Sequence, residues 1–114
     1  MTVKLKKSQL EERLHEFCER AQGRKPPYST LYLAEYRYLS SCKKIRSQHI
    51  SLKSPEIVNA ERIYGEALLL ESEGGSIKSV ALKIMSAHKQ LLNVLIENYK
   101  ARSLVIAYGV PNCV

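Results

Sequence analysis

The chain has 114 residues, of which 45% are apolar, and it carries 18 Lys and Arg against 11 acidic residues, a formal net charge of +7. This length suits one compact domain, and the apolar content excludes a disordered polymer. Twelve of the 18 cations precede residue 58, and such a surplus favours an anionic partner: nucleic acid, an acidic protein or a membrane surface. A surplus that only keeps the protein in solution is the alternative explanation.

The cysteine spacing and the lack of long apolar segments exclude several classes of protein. The three cysteines, Cys18, Cys42 and Cys113, form no CxxC pair, so neither a disulfide framework nor a zinc site is predicted. The N-terminal region is not an apolar leader, and the longest apolar run, LVIAY at 104–108, is too short to span a bilayer. We therefore expect a cytoplasmic protein that does not enter a membrane.

Catalytic motifs are also missing from the sequence. There is no nucleophile-elbow GxSxG, no phosphate-binding Walker loop, no HExxH and no dinucleotide fingerprint. We expect a protein that is not an enzyme and that uses no cofactor and no metal.

The first predicted helix has clear start and stop signals. Ser8 and Glu11 form a capping-box pattern, S-x-x-E, which satisfies amides at a helix start. Gly23 and the two prolines after it end the helix, because proline lacks an amide hydrogen.

The second predicted helix begins at Ser29 or Thr30 and ends near Gln48, so the first two helices form an N-terminal pair over residues 8–48. Cations in its last turns suit the negative end of the helix dipole. The same cations form the densest basic patch of the chain, which makes them candidates for phosphate contacts. The patch consists of Lys43, Lys44 and Arg46, with Arg37 and Lys53 nearby.

The C-terminal helices are predicted over residues 55–108. The third begins at SPE, with Ser54 as the cap and Pro55 at the first helical position, and it ends at Gly74–Gly75. Ser76 can cap a fourth helix. The chain is thus predicted to be one all-α domain, residues 1–114, a small bundle of about four helices.

The fourth helix has two possible forms. If it is unbroken, apolar residues from Ile77 to Tyr99 fall on one face. If it turns at Met85–Ala87, residues 76–84 and 88–99 form a helix-turn-helix. The apolar character of Leu92 and Ile96, which would lie on the outer helix of that motif, favours the unbroken form.

Residues 57–102 resemble the trihelical helix-turn-helix domain of bacterial regulators. The resemblance is carried by the GG stop, by Ala81 as the small residue of the supporting helix and by HKQLLNVLIENY as the reading helix. It implies a small cytoplasmic DNA-binding regulator, active as a dimer, with polar side chains on base edges. The residues implied in the groove of DNA are Ser86, His88, Lys89, Gln90 and Asn93. Phosphate contacts would come from Lys78, Lys83, Arg37, Lys43, Lys44 and Arg46.

A different function follows from the apolar surplus of the third and fourth helices. A helix with two apolar faces can bury one in its own core and the other against a partner. The alternative prediction is therefore a non-enzymatic helical interaction module, an adaptor, chaperone or inhibitor, that docks an acidic protein partner or self-associates through these helices.

Overall fold

The computed structural model describes residues 5–25 and 28–108, with side chains as far as Ser103. Four helices make up this part of the chain, and it contains no strand, which confirms the all-α prediction. The helices are α1 (Lys7–Ala21), α2 (Tyr28–Ser47), α3 (Pro55–Ser72) and α4 (Ile77–Tyr108).

The start of α1 differs from the prediction. The helix begins at Lys7, one residue before Ser8, and the amide of Lys6 donates to the side-chain oxygen of Gln9 at 3.0 Å. Since Ser8 already lies inside the helix, it cannot cap it, and the predicted pairing with Glu11 does not form. Gly23 follows the helix with a φ of +69°, the left-handed conformation that favours glycine.

The predicted boundary between α3 and α4 is confirmed in detail. The amide of Gly75 donates to the carbonyl of Leu70 at 2.9 Å, and Gly74 has a φ of +82°. A Cβ on Gly75 would lie 2.5 Å from the Leu70 side chain, so the chain passes too close there for any larger residue. The Ser76 hydroxyl then accepts from the amide of Ser79 at 3.1 Å, which caps the start of α4.

The fourth helix is unbroken through Met85–Ala87, so the turn required by the helix-turn-helix alternative is not formed. The reason is packing. Ile84, Ala87 and Leu91 are spaced by three and four residues and are all almost fully buried in the core. Only a continuous helix keeps residues at this spacing on one face.

The helices form a bundle in which neighbours in sequence are antiparallel. In the α1–α2 pair, Phe17 lies against Tyr32, with ring centroids 6.2 Å apart. In the α3–α4 pair, Lys83 lies 3.4 Å from Glu66.

By contrast, α2 and α4 run in the same direction. Ala34 and His88 line one groove near the start of the shared region, and Asn98 donates to Gln48 at 2.8 Å near its end. At a rise of about 1.5 Å per residue, the ten residues of α4 after Asn98 extend about 15 Å beyond that contact.

The core lies where the four helices meet. Its centre is a stacked pair of tyrosines, Tyr38 of α2 and Tyr64 of α3, with ring centroids 4.4 Å apart. The other buried apolar residues around it are Leu10, Phe17, Leu31, Ala34, Leu39, Ile45, Ile57, Ala60, Ala67, Val80, Ala81, Ile84, Ala87 and Leu91. Within the described residues, no helix has the length and hydropathy needed to cross a membrane.

Candidate functional site

The outward face of α4 is apolar over most of its length. Leu82, Met85, Leu92, Ile96 and Tyr99 have exposed fractions between 39% and 72%. Together with Lys89 they are spaced by 3, 4, 3, 4 and 3 residues, which places them in one row along the helix. We call these six residues the outer row. Since the inward face of α4 is already buried in the core, the outer row is a second apolar face without a cover among the described residues.

A groove of about 380 Å³ lies beside the outer row, between α2 and α4. On the α4 side it shares Met85, Lys89 and Leu92 with the outer row. On the α2 side, Leu33 and Arg37 stand at its edge. The complete set of lining residues is Thr30, Leu33, Ala34, Arg37, Met85, His88, Lys89 and Leu92, and it includes no acidic residue. We call this feature the α2–α4 groove.

The groove is electropositive. Burial lowers the pKa of the half-buried His88 imidazole, and the nearby charges of Arg37 and Lys44 lower it further. The imidazole is therefore neutral at pH 7, while Arg37, Lys44 and Lys89 carry the positive charge of this region. In the part of the chain that the structure describes, none of these three cations has an ion-pair partner.

Four residues predicted from the sequence as DNA contacts therefore meet at one place. Arg37 and Lys44 come from α2, and His88 and Lys89 come from α4. The remaining candidates lie elsewhere.

The other three candidate base-reading residues lie away from this groove. Asn93 lines a separate recess with Ser54 and Glu56, next to the start of α3. Ser86 and Gln90 precede Asn93 by seven and three residues, so they share its side of the helix. Because α4 is unbroken, His88 lies on the groove side of the helix, Ser86, Gln90 and Asn93 lie on another side, and Lys89 lies between them.

The remaining candidate phosphate contacts are also separated. Lys43 and Arg46 line a recess with Lys7 of α1, and the Arg46 guanidinium donates to the carbonyl of Leu5. Lys83 forms an ion pair with Glu66, and the exposed Lys78 lies in the first turn of α4. These cations do not form one continuous surface with the groove.

The sequence interpretation found only part of the apolar half of the site. It noted the apolar surplus of the fourth helix at Leu92 and Ile96, but it placed Met85 in the turn of the helix-turn-helix alternative and gave no role to Leu33. A signal was present in the spacing: positions 82, 85, 89, 92, 96 and 99 repeat every seven residues, as do Arg37 and Lys44 on α2. Such repeats are typical of helix faces that meet another helix.

A carboxylic acid with a strongly raised pKa lies in the core, not in the groove. Burial raises the pKa of Glu35 to about 7, and its carboxylate accepts a hydrogen bond from the Tyr64 hydroxyl. Arg13 in turn donates to that hydroxyl at 3.3 Å, so the network joins α1, α3 and α2. Glu35 is only 3% exposed, which makes this a structural network rather than a place for substrate. No group of three potential metal ligands occurs among the described residues.

Comparisons of the chain with protein-family models, with curated proteins and with solved structures found no match.

Proposed function

We propose that the chain is a non-enzymatic helical interaction module that docks an acidic protein partner on the α2–α4 groove and the outer row. The single observation that carries this proposal is the combination of uncovered apolar side chains with three unpaired cations on one face. Burying Met85 and Leu92 against a partner would remove apolar surface from water, at about 25 cal/mol per Å². Carboxylates of the partner would neutralise Arg37, Lys44 and Lys89.

A protein partner suits this face better than DNA does. Protein–DNA interfaces are polar and strongly positive, whereas five of the six residues of the outer row are large and apolar. Protein–protein interfaces combine an apolar centre with a polar rim, and the arrangement of Leu92 beside Lys89 and Arg37 matches that pattern.

A site-specific photo-crosslink tests the proposal. A benzophenone amino acid replaces Met85 in the groove or, as the control, Glu12, which is exposed on α1. Each chain is incubated with nuclease-treated extract of the cells that make it. We expect a discrete protein adduct from position 85 only, with an acid-rich crosslinked segment, and we expect its loss when Arg37 and Lys44 are changed to Glu.

Three results would count against the proposal. They are equal adducts from both positions, adducts that survive the reversal of Arg37 and Lys44, and crosslinks only to nucleic acid in a parallel extract that has not been treated with nuclease. Far-ultraviolet circular dichroism of each variant shows whether the bundle is intact.

A further inference from the structure

We infer that the element bound in the α2–α4 groove is an acidic amphipathic α-helix that lies along α4, with its apolar stripe on the outer row and its carboxylates on Arg37 and Lys44. This inference rests on the proposed function and names the structural class of the partner segment.

The groove combines apolar groups with cations at its edges. Met85 and Leu92 of α4 and Leu33 of α2 supply apolar surface, and Ile96 follows in the outer row. Arg37 lines the α2 edge, and Lys44 of α2 is close enough to lower the pKa of His88. A ligand must therefore have an apolar surface flanked by acids, which is the side-chain distribution of an amphipathic helix.

The spacing on both sides is helical. Arg37 and Lys44 are seven residues apart, as are Met85 and Leu92, so each pair spans two turns, or about 10.5 Å. Since α2 and α4 run in the same direction, the two pairs form parallel rows of equal pitch. A ligand helix with apolar residues at i, i+3 and i+7, and with two acids seven residues apart beside that stripe, repeats at the same pitch.

The length of α4 also suits a helical ligand. The outer row spans residues 82–99, which is about 26 Å of helix. Helix α4 then continues to Tyr108, past the hydrogen bond from Asn98 to Gln48, the residue that follows α2. A ligand helix of about five turns matches the length of the outer row.

Charge decides between an acidic helix and a second copy of this chain. The chain has a net charge of +7, and Lys89 lies in the middle of the outer row. Pairing two copies through this row would bring both sets of Arg37, Lys44 and Lys89 towards each other. Like charges across an interface oppose association, whereas an acidic helix neutralises them.

The test is fluorescence anisotropy of the full chain with three labelled 21-residue peptides. The first is an acidic amphipathic helix with a Leu stripe and a Glu flank. The second has the same composition, shuffled so that no stripe remains. The third is the first peptide with two central residues replaced by proline, which prevents a continuous helix. We expect the first peptide to bind at least tenfold more tightly than either of the others.

A matched pair of variants locates the bound peptide. Lys44→Glu and Lys43→Glu change the net charge equally at adjacent positions, but Lys44 is close enough to lower the pKa of the groove residue His88, whereas Lys43 lines the recess next to α1. We expect Lys44→Glu to weaken binding of the first peptide at least tenfold and Lys43→Glu to change it less than twofold.

Several outcomes would overturn the inference. They are no binding of the first peptide at 100 µM, equal binding of the shuffled or proline peptide, and equal effects of the two lysine variants. If the inference fails but the groove-specific adduct from position 85 remains, the docking function stands with a ligand that is not a helix. If that adduct is also missing, the docking function fails as well.

Discussion

The hydroxyl of Tyr64 on α3 donates a hydrogen bond to the buried carboxylate of Glu35 on α2. Tyr64 also stacks on Tyr38 and accepts a hydrogen bond from Arg13. One side chain thus connects three helices at the centre of the core. The position of α2, and through it the α2 side of the groove, depends on this polar network within an otherwise apolar interior.

The first prediction concerns the pH dependence of stability. Burial raises the pKa of Glu35 from 4.5 to about 7, although the hydrogen bond from Tyr64 lowers it. The folded chain therefore binds this proton more tightly than the unfolded chain does. The resulting stabilisation is complete below pH 4.5 and is lost as the pH rises to about 7. The shift corresponds to on the order of 3 kcal/mol.

Glu35→Gln removes this loss of stability at high pH, because the neutral amide keeps an oxygen that accepts a hydrogen bond from Tyr64. We expect the variant to match the parent chain at pH 5 and to be the more stable of the two at pH 8. Urea unfolding at the two pH values measures the difference. The control is Glu11→Gln on the exposed face of α1. If both variants retain the pH dependence of the parent, Glu35 does not titrate as described.

A second prediction distinguishes the contributions of the two stacked tyrosines to stability. Tyr64→Phe leaves the buried carboxylate of Glu35 without its hydroxyl donor, and we expect a loss of about 1–3 kcal/mol in the free energy of unfolding at pH 8. Tyr38→Phe keeps the stacked rings and leaves the Glu35 hydrogen bond intact. We expect it to cost less than Tyr64→Phe in the same urea titration. The reverse order would contradict the assigned network.

A third prediction tests whether α4 is continuous at Met85–Ala87, where the helix-turn-helix alternative requires a turn. Ser86 is exposed in the helix interior, so Ser86→Pro removes a helical hydrogen bond and should cost about 3 kcal/mol or more. Ser86→Ala should be neutral or slightly stabilising, since Ala has the higher helix propensity. Thermal unfolding of the two variants provides the comparison. A proline cost below about 1 kcal/mol would indicate that the chain turns at this position.

A fourth prediction concerns DNA. A chain with a net charge of +7 should bind duplex DNA weakly at low salt through its cations, with an affinity that falls as salt rises. Because α4 is unbroken and Asn93 lies away from the groove, we expect no sequence preference and no effect of Gln90→Ala or Asn93→Ala. Gel-shift titrations against several unrelated duplexes measure both. A preferred duplex whose binding depends on Gln90 and Asn93 would support the regulator interpretation instead.

Local sequence rules predicted the helices well, and tertiary contacts account for the differences between the predicted and the observed structure. The start of α3 at Pro55 and the GG stop before α4 follow from backbone chemistry that is visible in the sequence. Ser54 occupies the predicted cap position, but its hydroxyl makes no capping hydrogen bond. The sequence alone does not decide whether α4 turns at Met85–Ala87, because the answer depends on whether Ala87 is buried against the other helices. The groove is harder still to predict from the sequence, since bringing Arg37 close to His88 needs the parallel packing of α2 and α4, which no local pattern specifies.

The most direct test of the docking face compares two exposed leucines. Leu92 lies in the groove and is 39% exposed, while Leu69 lies on α3 and is 46% exposed, so Leu92→Glu and Leu69→Glu add the same charge at similar exposure. The dissociation constant of each variant is measured against the protein captured through position 85. We predict at least a tenfold weakening for Leu92→Glu, about 1.4 kcal/mol or more, and less than a twofold change for Leu69→Glu. Equal effects of the two variants, or no captured protein, would contradict the account.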